Sequence, residues 1–486
     1  MVARHTWLLP SVIAVCLAVA LLAAAAAVVN ASASVHLEAL LAFKKGVTAD
    51  PLGALSDWTV GTGDAVRGGV PRHCNWTGVA CDGAGRVTSI QLLQTQLQGA
   101  LTPFLGNIST LQLLDLTENG FTGAIPPQLG RLGELKQLIL TENGFAGGIP
   151  RDLGDLGSLQ LLDLTNNTLG GVIPSRLCNC SAMWALGLGA NNLTGQIPSC
   201  IGDLDKLQIF EAYINNLYGE LPPSFAKLTQ MKSLDLTYNK LSGSIPPEIG
   251  NFSHLWILQL FENLFSGAIP PELGRCKNLT LLNIYSNRLT GPIPRELGEL
   301  VNLEALRLYN NALSSEIPSS LGRCTSLVAL GLSINQLTGS IPPELGELRS
   351  LEKLTLHDNR LTGTVPTSLT NLVNLTYLSF SNNSLSGRLP ENIGSLRNLQ
   401  KLVIHTNSLS GPIPASIANC TQLSNASMSS NEFTGHLPAG LGQLQGLVFF
   451  SVGNNSLTGG IPKDLFDCVN LRTLVLASNN FTGGLW

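Results

Sequence analysis

From about residue 100 onward, hydrophobic and polar positions follow a pattern that repeats every 24 residues. One copy is LQLLDLTENGFTGAIPPQLGRLGE, residues 111–134. Its LxxLxL part places leucines at alternate positions, which predicts a short strand with one buried face. The Gly that follows predicts a turn, and the Pro predicts an extended return segment.

The asparagine of each copy is the most regular feature of the chain. It recurs at sixteen positions, from Asn119 to Asn479 in steps of 24, without an insertion or deletion. Such a residue can bond the backbone groups of a tight corner that would otherwise have no partner. Gly follows four residues later in every copy except one, where Ser315 replaces it. We call these sixteen residues the ladder asparagines.

This repeat is the leucine-rich repeat with the plant-type extension LxGxIPxxLGxL. Each turn can bury its leucines only against the neighbouring turns, so the fold is a one-dimensional stack. We therefore predict an α/β repeat solenoid, a right-handed superhelix with a parallel concave β-sheet. Residues 87–486 hold about 17 repeats of 24 residues, the last one incomplete.

Residues 34–86 lack the repeat and are predicted to form an N-terminal cap. Leu37, Leu40 and Leu41 have helical spacing and precede the segments DPLGALSDW and HCNWTGVACD. Cys74 and Cys81 are close enough in sequence to bridge, and a secreted chain favours a disulfide. The alternative, a metal pair, lacks further Cys or His at ligand spacing.

The other cysteines of the repeats are sorted by their position in the turn. Cys178 and Cys200 lie 22 residues apart in neighbouring turns, which predicts a second disulfide. Five others share a repeat position that holds a core hydrophobe in other turns, so their thiols are predicted to be buried. No two of these five lie in adjacent turns, so they are too far apart to form disulfides with one another. These five are Cys180, Cys276, Cys324, Cys420 and Cys468.

Residues 1–33 have the features of a secretory signal peptide. Arg4 and His5 precede an apolar run over residues 12–29, and Ala31-Ser32-Ala33 forms an A-x-A cleavage site. The alternative is an uncleaved membrane anchor, because the run is nearly long enough to span a bilayer. No later apolar stretch reaches that length, so we expect a secreted, oxidised and glycosylated chain.

Composition excludes several other classes of protein. Only 12% of residues are charged, and 28 Lys+Arg against 32 Asp+Glu leave no basic surplus for nucleic acid. The 44% of hydrophobic residues argues against disorder. An enzyme is disfavoured: His357 and His405 are two turns apart, about 10 Å, too far to share a metal ion. We expect no cofactor and no metal site.

The candidate ligand site lies on the face of the sheet that points away from the leucine core. On each strand, the residues six, four, two and one before the ladder asparagine point outward. Aromatic residues cluster in these positions from Tyr213 to Tyr309, which indicates either stacking along the sheet or an interface. The candidate ligand-binding residues are Tyr213, Tyr238, Phe261, Tyr285, Arg307, Tyr309, Lys353, His357, Lys401 and His405.

Charge on this face changes sign along the chain. Acidic side chains such as Asp115, Asp163 and Asp235 prevail in the early repeats, and basic ones prevail in the later repeats. The alternatives are ordinary surface scatter and an extended peptide that is basic over the early repeats and more acidic over the later ones. Sixteen strands would give a groove of roughly 75 Å, enough for about twenty extended residues.

Thirteen N-glycosylation sequons follow the signal peptide, and most are expected away from the outward positions of the strands. Asn425 is the exception, six residues before Asn431. If Asn425 carries a glycan, ligand contact should stop short of it. The sequons are at Asn75, Asn107, Asn166, Asn179, Asn192, Asn251, Asn278, Asn374, Asn382, Asn419, Asn425, Asn454 and Asn480.

The chain resembles the extracellular domains of plant leucine-rich-repeat receptor kinases, and within them the flagellin-sensing immune receptors. The segments that carry the resemblance are LEALLAFKKGVTADPLGALSDW, HCNWTGVACD, LQLLDLTENGFTGAIP and ALRLYNNALSSEIPSSL. The resemblance implies a non-catalytic ectodomain on the outer face of the plasma membrane. It also implies a flagellin-type peptide as ligand and a leucine-rich-repeat co-receptor kinase as partner.

The chain departs from that family at its end. The family's later repeats, membrane helix and kinase are missing, and Trp486 stands where the repeat demands Pro, so the chain looks truncated. If the chain is complete as written, it would be secreted to the apoplast. The alternative function is a secreted inhibitor of microbial cell-wall-degrading enzymes, which uses the same repeat and the same concave face.

Overall fold

The computed structural model describes residues 33–60 and 71–483. Nearly all of the expected signal peptide, and the expected break in the repeat at Trp486, lie outside these residues. The chain divides into two compact units, Met1–Leu207 and Gln208–Trp486. Both units are built from the predicted 24-residue turn, stacked with parallel strands in register.

The cap at the start of the first unit packs around aromatic side chains. Residues 33–46 are α-helical, and Trp58 stacks on Trp76 with ring centroids 5.3 Å apart. Strand Val47–Ala49 pairs antiparallel with Gln98–Ala100, and the 3-10 helix Arg72–Asn75 precedes an antiparallel pair, Val79–Cys81 with Val87–Gln91. The cap therefore covers the hydrophobic end of the first turns, which a stacked fold requires.

The main sheet of each unit is formed by the predicted LxxLxL strands, all parallel after the cap. In the first unit these strands follow Val87–Gln91 and are Leu113–Asp115, Gln137–Ile139, Leu161–Asp163 and Ala185–Gly187. In the second unit they are Ile209–Glu211, Ser233–Asp235, Ile257–Gln259, Leu281–Asn283, Ala305–Arg307, Ala329–Gly331, Lys353–Thr355, Tyr377–Ser379, Lys401–Val403, Asn425–Ser427, Phe449–Ser451 and Thr473–Val475.

The segment after each ladder asparagine forms further parallel sheets, which we call the side sheets and which were not predicted. The repeat glycine, expected in a turn, lies in these strands with a positive φ, as at Gly147 with φ 80°. The repeat proline instead precedes the next helix, as Pro150 does. In the first unit their strands are Gln98–Ala100, Gly120–Gly123, Gly144–Gly148, Thr168–Val172 and Asn192–Gly195. In the second unit they are Asn216–Glu220, Lys240–Ser242, Ser266–Ala268, Arg288–Pro292, Ala312–Glu316, Gln336–Thr338, Ser386–Gly387, Ser408–Gly411, Glu432–Gly435, Ser456–Gly459 and Asn480–Phe481.

The third side of each turn is a short 3-10 helix, so the helical part of the predicted α/β repeat is tighter than an α-helix. Within the described residues, the only α-helix is residues 33–46 of the cap. Glycine allows successive 3-10 helices to approach closely: a Cβ at Gly274 would lie 2.4 Å from the carbonyl oxygen of Glu296.

The 3-10 helices occupy one position in successive turns. In the first unit they are Pro103–Asn107, Pro127–Arg131, Arg151–Asp155, Ser175–Asn179 and Ser199–Asp203. In the second unit they are Pro223–Lys227, Pro247–Asn251, Pro271–Arg275, Arg295–Glu299, Ser319–Arg323, Pro343–Glu347, Thr367–Asn371, Ile393–Ser395, Ala415–Asn419, Leu441–Gln443 and Lys463–Asp467.

The ladder asparagines have the predicted role at the corner after each main strand. Asn287 donates from Nδ2 to the carbonyl oxygens of Leu260, Ile284 and Tyr285 at 3.0, 3.1 and 3.2 Å. Its Oδ1 accepts from the backbone N–H of Phe265 at 3.0 Å. One side chain thus completes the bonding of its own turn and of the preceding one.

The cysteines occupy the positions that the sequence predicts. Disulfides join Cys74 to Cys81 and Cys178 to Cys200, with Cα atoms 5.5 and 5.7 Å apart. The five remaining thiols of the repeats are buried and unbridged. Burial raises the pKa of four of them to about 11, so these thiols stay protonated and behave as core hydrophobes.

Candidate functional site

The exposed face of the main sheet in the second unit carries all ten candidate residues. Tyr213, Phe261, Tyr285 and Tyr309 are half-buried two residues before their ladder asparagines. His357 and His405 continue this column and are also half-buried. Lys353 and Lys401 begin their strands and are exposed. Strand register therefore places the candidates along one surface.

The aromatic side chains form a continuous stack. The ring of Tyr238 meets that of Phe261 edge-on at 5.3 Å, Phe261 lies over Tyr285 at 4.3 Å, and Tyr285 lies over Tyr309 at 4.2 Å. Stacking along the sheet, one of the two interpretations of the sequence, is thus present. The rings still keep part of their surface in solvent, so they can also contact a ligand. Thr237 occupies the same column between Tyr213 and Phe261.

The stack changes the chemistry of its central hydroxyl. Burial raises the pKa of Tyr285, and the neighbouring Tyr309 hydroxyl raises it further. Tyr285 is therefore a neutral phenol at any physiological pH. The stack therefore offers flat apolar faces and, at Tyr285, an uncharged hydroxyl.

A row of polar side chains runs beside the stack, four residues before each ladder asparagine. Gln259 donates to Asp235 at 2.7 Å, Asn283 donates to the Gln259 side-chain oxygen at 3.1 Å, and Arg307 donates to the Asn283 side-chain oxygen at 3.2 Å. Burial raises the pKa of Asp235, and hydrogen bonds from Thr237 and Gln259 offset part of that effect. We call Asp235, Gln259, Asn283 and Arg307 the amide row.

A depression of about 470 Å³ lies at the Arg307 end of the amide row. Its floor is strand Ala329–Gly331, where small residues leave a gap in the layer of side chains. A Cβ at Gly331 would already come within 3.2 Å of the Tyr309 ring. The walls are the side chains of Arg307, Tyr309, Lys353, Tyr377 and Lys401. Three cations and two phenols around one cavity favour an anionic group with apolar surface beside it.

Tyr377, Gln259 and Asn283 are the site residues that the sequence analysis missed. Tyr377 stands six residues before its ladder asparagine, the same position as Lys353 and Lys401. Reading that column for aromatic as well as charged residues would have found it. Gln259 and Asn283 have no distinguishing chemistry, and only the register of neighbouring strands shows that they connect Asp235 with Arg307.

The histidines belong to a separate polar cluster beyond the depression. His357 Nδ1 donates to Asp358 at 2.8 Å, and Asn382 donates to the other oxygen of the same carboxylate at 2.6 Å. Burial alone would raise the pKa of Asp358, but these two hydrogen bonds and the nearby His357 and His405 together outweigh it and lower the pKa. Burial also lowers the pKa of His405, which favours its neutral form, although Asp358 acts in the opposite direction.

Asn382 corrects the expectation that Asn425 is the exceptional sequon on this face. Asn382 directly precedes its ladder asparagine and lies within the histidine cluster. The sequons at Asn166 and Asn454 occupy the same outward position in their own turns. Asn425 is only half exposed, with its side-chain oxygen buried and unpaired, whereas the other twelve sequon asparagines are exposed.

Metal-ligating side chains come together at one place among the described residues. His73, Cys74 and Cys81 bring their ligand atoms within 4.8 Å of one another in the cap. Both sulfur atoms form the cap disulfide, so neither is a thiolate that could bind a metal. Within the part of the chain that the structure describes, no helix is both long and apolar enough to cross a bilayer.

Family models match both parts of the fold. The leucine-rich repeat N-terminal domain matches residues 36–82. Leucine-rich-repeat models match residues 349–409 and five single repeats: 110–132, 158–180, 230–252, 278–300 and 302–324. A curated relative is the probable inactive leucine-rich repeat receptor kinase XIAO of Oryza sativa subsp. japonica, 37% identical over 85 residues. That segment is 17% of this chain and 7% of the relative, so the alignment leaves most of the relative unmatched.

Solved structures match over much longer spans. The crystal structure of a TDR receptor has a TM-score of 0.77 and 31% identity, over 80% of this chain and 68% of that chain. The Arabidopsis receptor kinase HAESA, solved with the peptide hormone IDA and the co-receptor SERK1, has a TM-score of 0.63 and 31% identity. That match covers 93% of this chain and 86% of the HAESA chain.

Proposed function

Because this chain belongs to the leucine-rich-repeat ectodomains of plant receptor kinases, we propose that it is the ectodomain, or a truncated form, of a cell-surface immune receptor. Its ligand is an extended peptide of flagellin type. The observation that carries this proposal is the partly exposed aromatic stack that ends at a depression lined by three cations. A co-receptor kinase completes the signalling complex.

The peptide crosses the strands of the main sheet and lies along the aromatic stack. Flat aromatic faces give a mobile peptide much contact area at little cost in side-chain entropy. The nine turns from Tyr213 to His405 span roughly 38 Å at the spacing of parallel strands, which matches about eleven extended residues.

The charges at the two ends of the stack set the direction in which the peptide binds. Glu211, Asp235 and Glu262 lie at its beginning, whereas Arg307, Lys353 and Lys401 surround the depression at its end. A peptide with basic residues toward the first end and a carboxylate in the depression satisfies both groups. Such complementarity selects one orientation and one register.

Glycans limit where such a peptide can lie. We expect glycans at the exposed sequons, which include Asn382 on the ligand-binding face. A glycan there leaves Arg307, Lys353 and Tyr309 accessible and crowds His357 and His405. The histidine cluster is then the edge of the contact surface. A glycan on Asn425 would have the same effect two strands later.

Calorimetric titration of the secreted full chain tests this proposal. The probe is a synthetic peptide from the conserved N-terminal segment of bacterial flagellin. Tyr285→Ala and Arg307→Ala should each weaken binding at least about tenfold, because each removes a central contact of the site. Tyr218→Ala is the matched control: Tyr218 is 50% exposed in the same unit but belongs to a side sheet.

A folded, monodisperse chain that fails to bind the peptide would overturn the flagellin assignment. The alternative of a secreted inhibitor then has its own test, the activity of microbial wall-degrading enzymes with and without the chain. A larger loss of peptide affinity in Tyr285→Ala than in Tyr218→Ala would support the aromatic stack as the contact surface. Equal loss in both would remove the stack from the site.

A further inference from the structure

The residue before each ladder asparagine has a left-handed backbone. In the second unit its φ lies between 47° and 57° in all twelve turns. This conformation disfavours every residue except glycine, and it disfavours β-branched residues most. Asn adopts it most readily among side-chain-bearing residues, yet in these twelve turns it occupies the position only at Asn310, Asn382 and Asn454.

Ile214 and Ile334 are therefore poorly suited to their positions. Their φ values are 47° and 54°, and their side chains are 51% and 44% exposed. An apolar side chain in a strained conformation is ordinarily retained because it packs in a core, and these two do not. The third β-branched residue of this column, Thr406, has a local partner, since its hydroxyl lies 3.1 Å from His405 Nδ1.

The two isoleucines lie on either side of the aromatic stack. Ile214 comes one turn before Tyr238, whose ring begins the stack from this same column. Ile334 comes one turn after Tyr309 and donates its backbone N–H to the carbonyl oxygen of His357 at 2.9 Å. It also follows strand Ala329–Gly331, the floor of the depression.

We propose that Ile214 and Ile334 are specificity-determining residues that each contact one apolar side chain of the bound peptide. The inference rests on the proposed function, because it places both contacts on the same peptide. Backbone strain persists where function requires the side chain that causes it. Five strand spacings separate the two residues, about 24 Å, so the apolar residues of the peptide are about seven positions apart.

Ile334→Asn gives effects of opposite sign on folding and binding. Asn suits the left-handed backbone, so thermal unfolding of the secreted chain should shift upward by about 2 °C. Loss of the apolar contact should weaken binding of the flagellin N-terminal peptide about tenfold. A residue with a merely structural role would change both quantities in the same direction. Ile214→Asn should behave in the same way, and neither change creates a sequon.

Two matched variants separate strain from contact. Ser478→Asn alters the same left-handed position eleven turns after Ile214 and should leave peptide affinity unchanged. Ile334→Leu keeps the apolar surface without the β-branch and should bind within about twofold of the unaltered chain. Peptides with single alanine substitutions identify each partner: the alanine that no longer weakens binding in Ile334→Asn marks the residue that Ile334 contacts.

The outcomes distinguish this inference from the proposed function. If the unaltered chain binds the peptide and Ile334→Asn and Ile214→Asn bind equally well, the inference is wrong and the proposed function stands. If the partners of Ile214 and Ile334 fall within three residues of each other on the peptide, the inference is also wrong. If the unaltered chain binds no peptide, both fail together.

Discussion

Each ladder asparagine connects two turns through a single side chain. Asn287→Ala removes three hydrogen bonds to carbonyl oxygens and one from the Phe265 N–H, all at a half-buried corner. Backbone groups left without partners carry a desolvation penalty, so we expect a loss of about 3 kcal/mol in the free energy of unfolding. Thermal unfolding of the secreted chain measures it.

Asn310→Ala is the control for this substitution. Asn310 is exposed and makes one side-chain bond, to the Ser286 hydroxyl at 3.0 Å. Its loss should change the free energy of unfolding by less than about 1 kcal/mol. Equal destabilisation by the two variants would contradict the role assigned to the ladder asparagines.

The amide row makes a second prediction at the residue scale. Asn283 is 3% exposed and holds Arg307 through its side-chain oxygen at 3.2 Å. Asn283→Ala should weaken peptide binding about threefold to tenfold, because Arg307 then samples other rotamers. In the Arg307→Ala background the same change should have little further effect on affinity. Additive losses in the double variant would show that Asn283 acts independently of Arg307.

The repeat pattern determined which residues point outward, and so all ten candidates were found on one face. The pattern could not show how their side chains meet. In the amide row, a carboxylate, two amides and a guanidinium occupy the same position in four successive turns, and each bonds the next. None of these residue types is unusual on a surface, so the sequence did not indicate the row. The depression forms because Ala329 and Gly331 have no large side chain to fill it, which a search for reactive or charged residues does not detect.

At the scale of elements, the cap contains two buried histidines that titrate. Burial, together with a smaller effect of the nearby His36, lowers the pKa of His73 from 6.5 to about 4. Burial also lowers the pKa of His36, whose Nδ1 accepts a hydrogen bond from the backbone N–H of Val87. Both must be neutral in the folded cap, which ties them to its stability.

The cap should therefore lose stability on acidification. Since the folded pKa values lie below the unfolded value of 6.5, the stabilisation is complete above about pH 6.5 and declines as the pH falls toward 4. The shift of His73 alone corresponds to at most about 3 kcal/mol. Hydrogen exchange of strand Val87–Gln91 measures the effect, and His73→Gln should flatten the profile.

The exposed His254 supplies the control for the cap. His254→Gln lies in the second unit and should leave the pH profile of the cap unchanged. A cap whose exchange rates, corrected for the intrinsic effect of pH, stay constant between pH 7 and 4.5 would contradict the assignment of neutral buried histidines.

The disulfide Cys178–Cys200 closes a 22-residue interval between adjacent turns. Replacing both cysteines by serine should lower the free energy of unfolding of the first unit by about 3 kcal/mol, from the regained freedom of the unfolded chain. Thermal unfolding under non-reducing conditions checks this. Cys276→Ser is the control, because Cys276 is buried but forms no disulfide. This change closes or opens no loop, so it reports only the cost of burying a hydroxyl.

Elements were predictable to different degrees. The main strands follow from alternating leucines, and both disulfides follow from the positions of their cysteines within the turn. The side sheets were not predicted, because the repeat Gly indicates a turn and gives no information about a pairing partner. The 3-10 helices were expected only as the helical part of an α/β repeat, because the pattern of leucines does not distinguish a 3-10 helix from a short α-helix.

At the scale of the whole molecule, the same turn is repeated, and the copies differ mainly in their outward-facing residues. Buried positions are almost always hydrophobic along the chain, whereas the outward positions differ in chemistry from turn to turn. A stack of this kind tolerates variation at outward positions, since each turn depends mainly on its neighbours for stability. The aromatic stack, the amide row and the depression thus occur in consecutive turns without disturbing the core.

Photo-crosslinking of the bound peptide tests the central claim most directly. A photoreactive phenylalanine analogue is placed at successive positions of the flagellin N-terminal peptide, and crosslinked residues of the secreted chain are identified by mass spectrometry. We predict that crosslinks advance along the main sheet, from strands near Tyr238 for the basic end to strands near Lys353 for the acidic end. Crosslinks on the side sheets or 3-10 helices, or crosslinks without that order, would contradict the account.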